Sequence, residues 1–269
     1  MQPRSSETTG SAAPSRAGLT FRVGIVGHRP NRLQREDIPS LTARLAEALS
    51  LVKQAVEDFP ATHPGLFEPE PARLRAVSSL AEGTDRYFAR EALRLGYQLC
   101  CPMPFRKEEF ENDFKPEKSL ETGLDSVAEF NQILNEAQKK TGLTVLELEG
   151  LRTHSAGAYA VAGRVVLEQS DLLMVVWDGG GGNKRGGTVA TMQEALAGLV
   201  PVLWIDARAP HRWQLLERAS DLPVWHGERC VPSRLEPADL VAMVERTLKE
   251  KYLVAAPSVE TRNPGSSSG

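Results

Sequence analysis

Three cysteines in 269 residues leave little room for sulfur chemistry. Cys100 and Cys101 are adjacent inside an apolar run and Cys230 stands alone, so no pair has the spacing of a zinc ligand set or a redox dithiol. The five histidines (His28, His63, His154, His211 and His226) fall at no helical or finger-like interval. No metal site and no cofactor are expected from them. Long hydrophobic runs are missing too: nothing approaches the roughly 18 consecutive apolar residues of a membrane span, and the first residues lack the apolar core of a secretory leader. A cytoplasmic location and no membrane association are the expectation. Charge of one sign is equally scarce. A net charge of −3 provides no overall basic field, which counts against nucleic acid as the main partner and leaves only a local basic groove open.

What is present is a globular composition, 41% hydrophobic and 25% charged, in a chain long enough for one large α/β domain. Residues 1–18 and 255–269 are rich in Ser, Thr, Pro and Gly without apolar periodicity and read as disordered tails. Residues 19–254 are expected to form a single domain. Apolar runs at 20–26, 73–78, 97–101, 144–148, 172–177 and 201–205 predict strands, with a weaker one at 222–225. Helical patterns fill 38–59, 86–95, 156–169, 189–199 and 237–252, and a long polar segment at 118–140 reads as a helical lid. Strand and helix alternate throughout. That is the pattern of a Rossmann-like α/β fold, a mostly parallel sheet with helices on both faces, whose ligand crevice lies beyond the strands' carboxyl ends.

Three loops at such strand ends share one chemistry. Gly27-His28-Arg29 follows the first strand, Ser79 and the run Glu82-Gly83-Thr84 follow the second, and Asp178-Gly179 opens a glycine-rich loop ending in Gly186-Gly187-Thr188. In a parallel sheet these ends point one way, so backbone N–H groups, hydroxyls and the Arg29 guanidinium can converge on an anion or a ribose. Each helix start adds about half a unit of positive charge. Each residue also has a plainer duty: glycines make tight turns, and Thr84, Asp85 or Asp178 can cap a helix or a turn. The glycine loop is not a Walker A sequence, Gly24-Ile-Val-Gly-His lacks GxGxxG spacing, and no GxSxG elbow occurs. ATP hydrolysis, NAD redox chemistry and acyl transfer are disfavoured accordingly.

Val23-Gly-Ile-Val-Gly-His-Arg-Pro, Ser79-Leu-Ala-Glu-Gly-Thr-Asp-Arg, Gly163-Arg-Val-Val-Leu-Glu-Gln-Ser-Asp, Val176-Trp-Asp-Gly, Arg185-Gly-Gly-Thr and Gly198-Leu-Val-Pro-Val resemble the SLOG superfamily. This Rossmann-like group includes DprA, the LOG phosphoribohydrolases and the nucleotide-sensing domains of TRPM channels. The similarity spans residues 21–205 and lies in the order and spacing of the loops. It implies a sheet that binds a nucleotide or nucleotide-derived ligand. Hydrolases of the group carry PGGxGTxxE, with the glutamate and an arginine from the preceding helix serving N-glycosidic cleavage. Here Gly186-Gly187-Thr188 matches the phosphate part and Arg164 stands in the arginine's place, but the glutamate position is Thr191. The nearest acid, Glu194, lies almost a turn further on, about 5 Å away. The expected function is therefore a nucleotide sensor with a separately encoded effector. The alternative is a nucleoside 5′-monophosphate N-glycosidase using Arg164 with Glu194 or Glu82. Apolar helix surfaces leave room for a homo-oligomer.

Overall fold

The computed structural model describes residues 16–121, 123, 125–180, 188–224 and 226–254. Seven strands form one sheet in the order β4-β3-β2-β1-β5-β6-β7. They are β1 (Thr20–Gly27), β2 (Arg73–Val77), β3 (Gln98–Met103), β4 (Leu143–Glu147), β5 (Leu172–Trp177), β6 (Val202–Asp206) and β7 (Trp213–Leu216). The first six are parallel, and β7 runs antiparallel on β6. The fold is the expected Rossmann-like α/β class. Chain order runs outward from β1 to β4 and then resumes on β1's other side at β5, so the reversal of strand order falls between β1 and β5. In open α/β sheets the crevice at this reversal is the ligand-binding position.

The helices are α1 (Ile38–Thr62), α2 (Thr84–Arg94), α3 (Lys107–Phe110), α4 (Ser126–Lys140), α5 (Ser155–Glu168), α6 (Thr188–Ala197) and α7 (Pro237–Lys249). Alternation along the strands divides the apolar side chains between two cores. Val23, Ile25, Met174 and Val176 face α1, α2 and α7, whereas Leu173, Val175, Trp177 and Trp204 face α5 and α6. β5 lies between two strands under helices on both faces, and all six of its residues are buried. In α1, Leu41, Leu45, Leu49, Val52, Val56 and Phe59 recur at helical spacing and are buried, as the pattern predicts.

Two elements depart from expectation. The weak strand at 222–225 is not formed at 222–224, and Trp225 lies outside the described residues. The last strand is Trp213-Gln-Leu-Leu216, where four residues at a sheet edge are too few for a clear alternation. The polar segment expected to be helical from residue 118 begins its helix only at Ser126, where Asp125 caps it by accepting from the Ala128 N–H at 2.9 Å. At the N-terminal tail, Ala17 pairs with Phe67 in a parallel bridge. The remaining tail residues, 1–15 and 255–269, lie outside the described residues. No described helix is long and apolar enough to cross a membrane.

Close packing of α5 on the sheet depends on Gly24. A Cβ there would lie 2.1 Å from the Ser170 hydroxyl, which donates to the Val166 carbonyl at 2.6 Å. Gly24→Ala is therefore expected to destabilise the fold by about 1–3 kcal/mol, the usual cost of overpacking. Adding Ser170→Ala should recover part of that loss. Chemical denaturation of the two single variants and the double variant measures this, and simple additivity would contradict the contact.

Candidate functional site

The loops after β1 and β2 are locked together before they reach any ligand. A Cβ on Gly27 would lie 2.5 Å from the Thr84 methyl, and one on Gly83 would lie 2.9 Å from the His28 carbonyl. Gly83 also has φ +87, a conformation that L side chains rarely adopt. The Thr84 N–H and hydroxyl both donate to the His28 carbonyl, at 3.2 and 2.9 Å. Thr84 is fully buried, so its hydroxyl is occupied in joining the loops and does not face solvent.

Glu82 is likewise turned away from the strand ends. It is 1% exposed and accepts from the Ser119 hydroxyl at 2.6 Å, the Ser126 hydroxyl at 2.5 Å and the Leu120 N–H at 2.9 Å. Burial would raise its pKa, but these three donors outweigh it and hold the carboxyl below its ordinary value. Beneath it, the buried Arg86 donates to the Leu80 carbonyl at 3.1 Å and to Glu129 at 2.7 Å, and lies 4.5 Å over the Phe114 ring. Leu80 itself has φ +55, a strained setting for a branched residue. The carboxylate expected to hold ribose or act as a base instead fastens Ser119, Leu120 and Ser126 to the sheet edge.

The cleft these loops leave open has a volume of about 170 Å3. Gly27 and Arg29 line it from the β1 end, Ser79, Ala81 and Asp85 from the β2 end, and Tyr159 and Gly163 from α5. The Arg29 guanidinium makes no hydrogen bond or ion pair to the protein among the described residues. Asp85 is buried, and its carboxyl receives only a long hydrogen bond from Ser78, 3.4 Å, and one from the Ala81 backbone. Desolvation dominates, so its pKa rises to about 6 despite the opposing charge of Arg29. Tyr159 donates to Asp113, which also takes Arg152 at 2.7 Å, and this ties the loop after β3 to α5 at the rim. Burial followed by that contact pushes the Tyr159 phenol up to about 12.

On the other side of β1, at the strand-order reversal, Asp178 is a charge hub. Its buried carboxylate accepts from the Gly180 N–H at 3.1 Å and from Arg32 at 3.1 and 3.2 Å, with Arg208 at 3.6 Å. Burial alone would raise its pKa, but the Gly180 N–H and the Arg32 charge hold it below the ordinary carboxylate value. His28 Nε2 lies 3.0 Å from the Asp178 N–H and 3.1 Å from its carboxylate. It can satisfy only one of them. Burial depresses the His28 pKa more than Asp178 raises it, so the ring is neutral and Nε2 accepts the backbone N–H. His28 is thus a buried joint between β1 and β5.

Of the remaining expected residues, Gly179 follows Asp178 and its carbonyl accepts from the Cys230 N–H at 2.8 Å. Thr188 is half-buried at the start of α6, and Gly186 and Gly187 lie outside the described residues. Arg164 and Glu194 do share a cleft, but a different one, between α5 and α6 with Glu168, Gly198 and Val200. Among the described residues no group of three or more His, Cys, Asp or Glu has the placement to hold a metal ion. In the sequence Asp85 has the signature of a helix cap, and Arg32 and Arg208 lie outside the three glycine-bearing loops. The strand-end rule applied to Ile205-Asp206-Ala207-Arg208 points to Arg208.

No protein-family model and no curated protein matches the chain. Among solved structures it is similar to DNA processing protein A (DprA) from Streptococcus pneumoniae, with 15% identity, a TM-score of 0.41, and coverage of 69% of this chain and 50% of that one. It is also similar to DprA from Helicobacter pylori, described for its single-stranded DNA binding mode, with 12% identity, a TM-score of 0.43, and coverage of 86% and 81%. A third is TM1055, with 11% identity, a TM-score of 0.39, and coverage of 84% and 99%. The chain thus spans half the length of the Streptococcus protein. DprA is among the groups whose motifs the sequence resembles. Likeness of this degree carries no inference about ligand or activity, nucleic acid included.

A buried carboxyl with a raised pKa weakens the fold once it ionises. The contribution of protonated Asp85 is fully present below the unfolded value of 3.8 and is lost as pH rises through about 6. Asp85→Asn is therefore expected to be more stable than the parent at pH 8, by up to about 3 kcal/mol, with little difference at pH 4. Urea unfolding at the two pH values tests this, and an equal effect at both would remove Asp85 from the list of strained groups.

Proposed function

We propose that the protein holds a nucleotide or nucleotide-derived ligand at the carboxyl edge of its sheet and acts as a sensor. The observation that carries this reading is the pairing in one cleft of a destabilising carboxyl, Asp85, with a guanidinium, Arg29, that the protein leaves without a hydrogen-bonding partner of its own. Groups kept at a cost to stability at the carboxyl ends of parallel strands are characteristic of binding and catalytic sites. Asp85 offers acceptors for ribose hydroxyls or base N–H groups, Ser79 offers a hydroxyl, and Arg29 offers planar donors for phosphate. Thr188 stands at the start of α6, where helix N–H groups favour an anion.

Cleavage of a nucleoside 5′-monophosphate N-glycosidic bond is the second reading, and one observation favours it. A carboxyl with a pKa of about 6 keeps its proton to a higher pH than an ordinary aspartate and, in its protonated fraction, can donate it to a leaving base. Against it, Glu82 is occupied by Ser119, Ser126 and Leu120, and Arg164 and Glu194 line another cleft. Holding is favoured over cutting.

A thermal-shift panel of nucleotides followed by product analysis tests both readings. The expected result is stabilisation by a ligand recovered intact, with affinity reduced at least about tenfold, 1.4 kcal/mol, by Arg29→Ala or Asp85→Asn. Arg164→Ala and Glu194→Gln should leave it unchanged. Release of a free base would make the protein a hydrolase, and a panel without a hit would sink the nucleotide assignment.

A further inference from the structure

The cleft at Asp85 is small for a whole nucleotide. Pockets that enclose most of a small ligand run to roughly 300–1,000 Å3, and this one holds about 170 Å3. Part of any nucleotide seated there lies outside it, and the strand-order reversal is adjacent. Gly27, which lines the cleft, pairs with Val176 of β5, one strand spacing away, about 4.8 Å. The residue two beyond Val176 is Asp178.

Around Asp178 the donors are arranged unlike an ordinary surface ion pair. Arg32 uses a single nitrogen, Nη2, on the carboxylate, and Arg208 reaches it only at 3.6 Å. The two side chains are 53% and 54% exposed, while the carboxylate that orients them is 8% exposed. Most of their N–H groups have no protein acceptor among the described residues. Next to them, Arg229 donates through Nη2 to the fully buried Asp206, which also accepts from the Arg208 N–H at 2.9 Å. The Arg229 Nε is buried without a partner. Among the described residues, the guanidiniums of Arg32, Arg208 and Arg229 thus face the two carboxylates of Asp178 and Asp206. Buried acids behind exposed guanidiniums fix the direction of the forks, a geometry suited to the paired oxygens of a phosphate.

We propose that Arg32 and Arg208, oriented by Asp178, clamp the distal phosphate of a diphosphate-bearing ligand whose nucleoside end sits in the cleft at Asp85 and Arg29. The assignment of the nucleoside end rests on the function proposed above, but the clamp itself is a diphosphate site that can be probed alone. Arg32 and Arg208 come from the two sides of the reversal, after β1 and after β6, so a bound diphosphate would bridge loops that are otherwise joined through His28 and Asp178.

Calorimetric titration of the full chain with inorganic pyrophosphate, inorganic phosphate, AMP and ADP tests the clamp. Pyrophosphate is expected to bind more tightly than phosphate, and ADP about tenfold or more above AMP. Arg32→Gln with Arg208→Gln should abolish both preferences while leaving AMP affinity unchanged. Arg208→Gln alone, which loses only the 3.6 Å contact with Asp178, should remove at least part of the preference and serves if the double variant does not fold. Pyrophosphate bound through these arginines with no nucleotide bound would keep the clamp and overturn the nucleoside reading. No pyrophosphate binding, or preferences that survive the double variant, would overturn the clamp and reduce the arginines to counter-charges for Asp178. An oligodeoxythymidine that binds more tightly than pyrophosphate and loses affinity in the double variant would replace the diphosphate with a nucleic-acid backbone.

Discussion

The contact between two backbone turns, Gly27-His28 and Gly83-Thr84, is the constraint on which the sheet's carboxyl edge depends. Neither turn has room for a Cβ, and the His28 carbonyl takes two hydrogen bonds from Thr84. This closure fixes the start of α2, and with it the direction of Asp85 and Arg86 from adjacent positions of one helical turn. Asp85 meets the cleft while Arg86 enters the core, where its Nε donates to Leu80 and its Nη1 to Ser126 and Glu129, leaving Nη2 buried without a partner. The same closure places His28 so that its ring reaches the Asp178 backbone. A change at Gly27 or Gly83 would therefore be felt on both sides of β1.

Charge at this edge is divided between groups that are satisfied and groups that are not. Glu82 has three donors and Asp178 has Gly180 and Arg32, and both carboxylates sit below their ordinary pKa. They stabilise the fold at neutral pH and lose that contribution only on acidification through their depressed values. Asp85 is the opposite case, with burial winning and the pKa rising. Three acids within one sheet edge thus have distinct roles set by their donor counts: Glu82 anchors the segment before α4, Asp178 orients arginines, and Asp85 remains unsatisfied. A structural carboxylate would gain from more donors, and the protein supplies them to two of the three.

Much of the architecture was legible because the parallel sheet writes itself as alternating apolar runs and amphipathic helices. β5 appears in the sequence with its observed bounds, since a strand buried on both faces is continuously apolar. β7 was missed because an edge strand of four residues, two of them only half-buried, has no such signature. At the strand ends, the sequence indicates which loops lie together but not which side chains face outward. Glu82, Thr84 and Asp85 are near neighbours in sequence, and no periodicity assigns one to a serine latch, one to a carbonyl and one to a cleft. That choice is made by partners distant in the chain, Ser119 and Ser126 for Glu82 and His28 for Thr84. Arg164 and Glu194 illustrate the converse. The motif spacing brings them together, but the run of α5 carries the pair away from the strand ends, because Gly163 faces the cleft and the next residue faces α6.

The two basic groups at the edge act at different ranges. Arg29 sits half-buried in the cleft, where its charge acts on the Asp85 carboxyl. Arg32 and Arg208 are more exposed, and salt screens them over about 8–10 Å. An anionic ligand would meet the exposed pair before the cleft, because their guanidiniums stand more than half exposed while Arg29 is half-buried. Ionisation of Asp85 then opposes entry of a second negative group into the cleft while leaving the arginine pair unaffected. On the proposed clamp, the ligand that fits is one whose charge is concentrated at one end and whose other end presents hydrogen-bond donors. A nucleoside diphosphate has that polarity, and free phosphate does not.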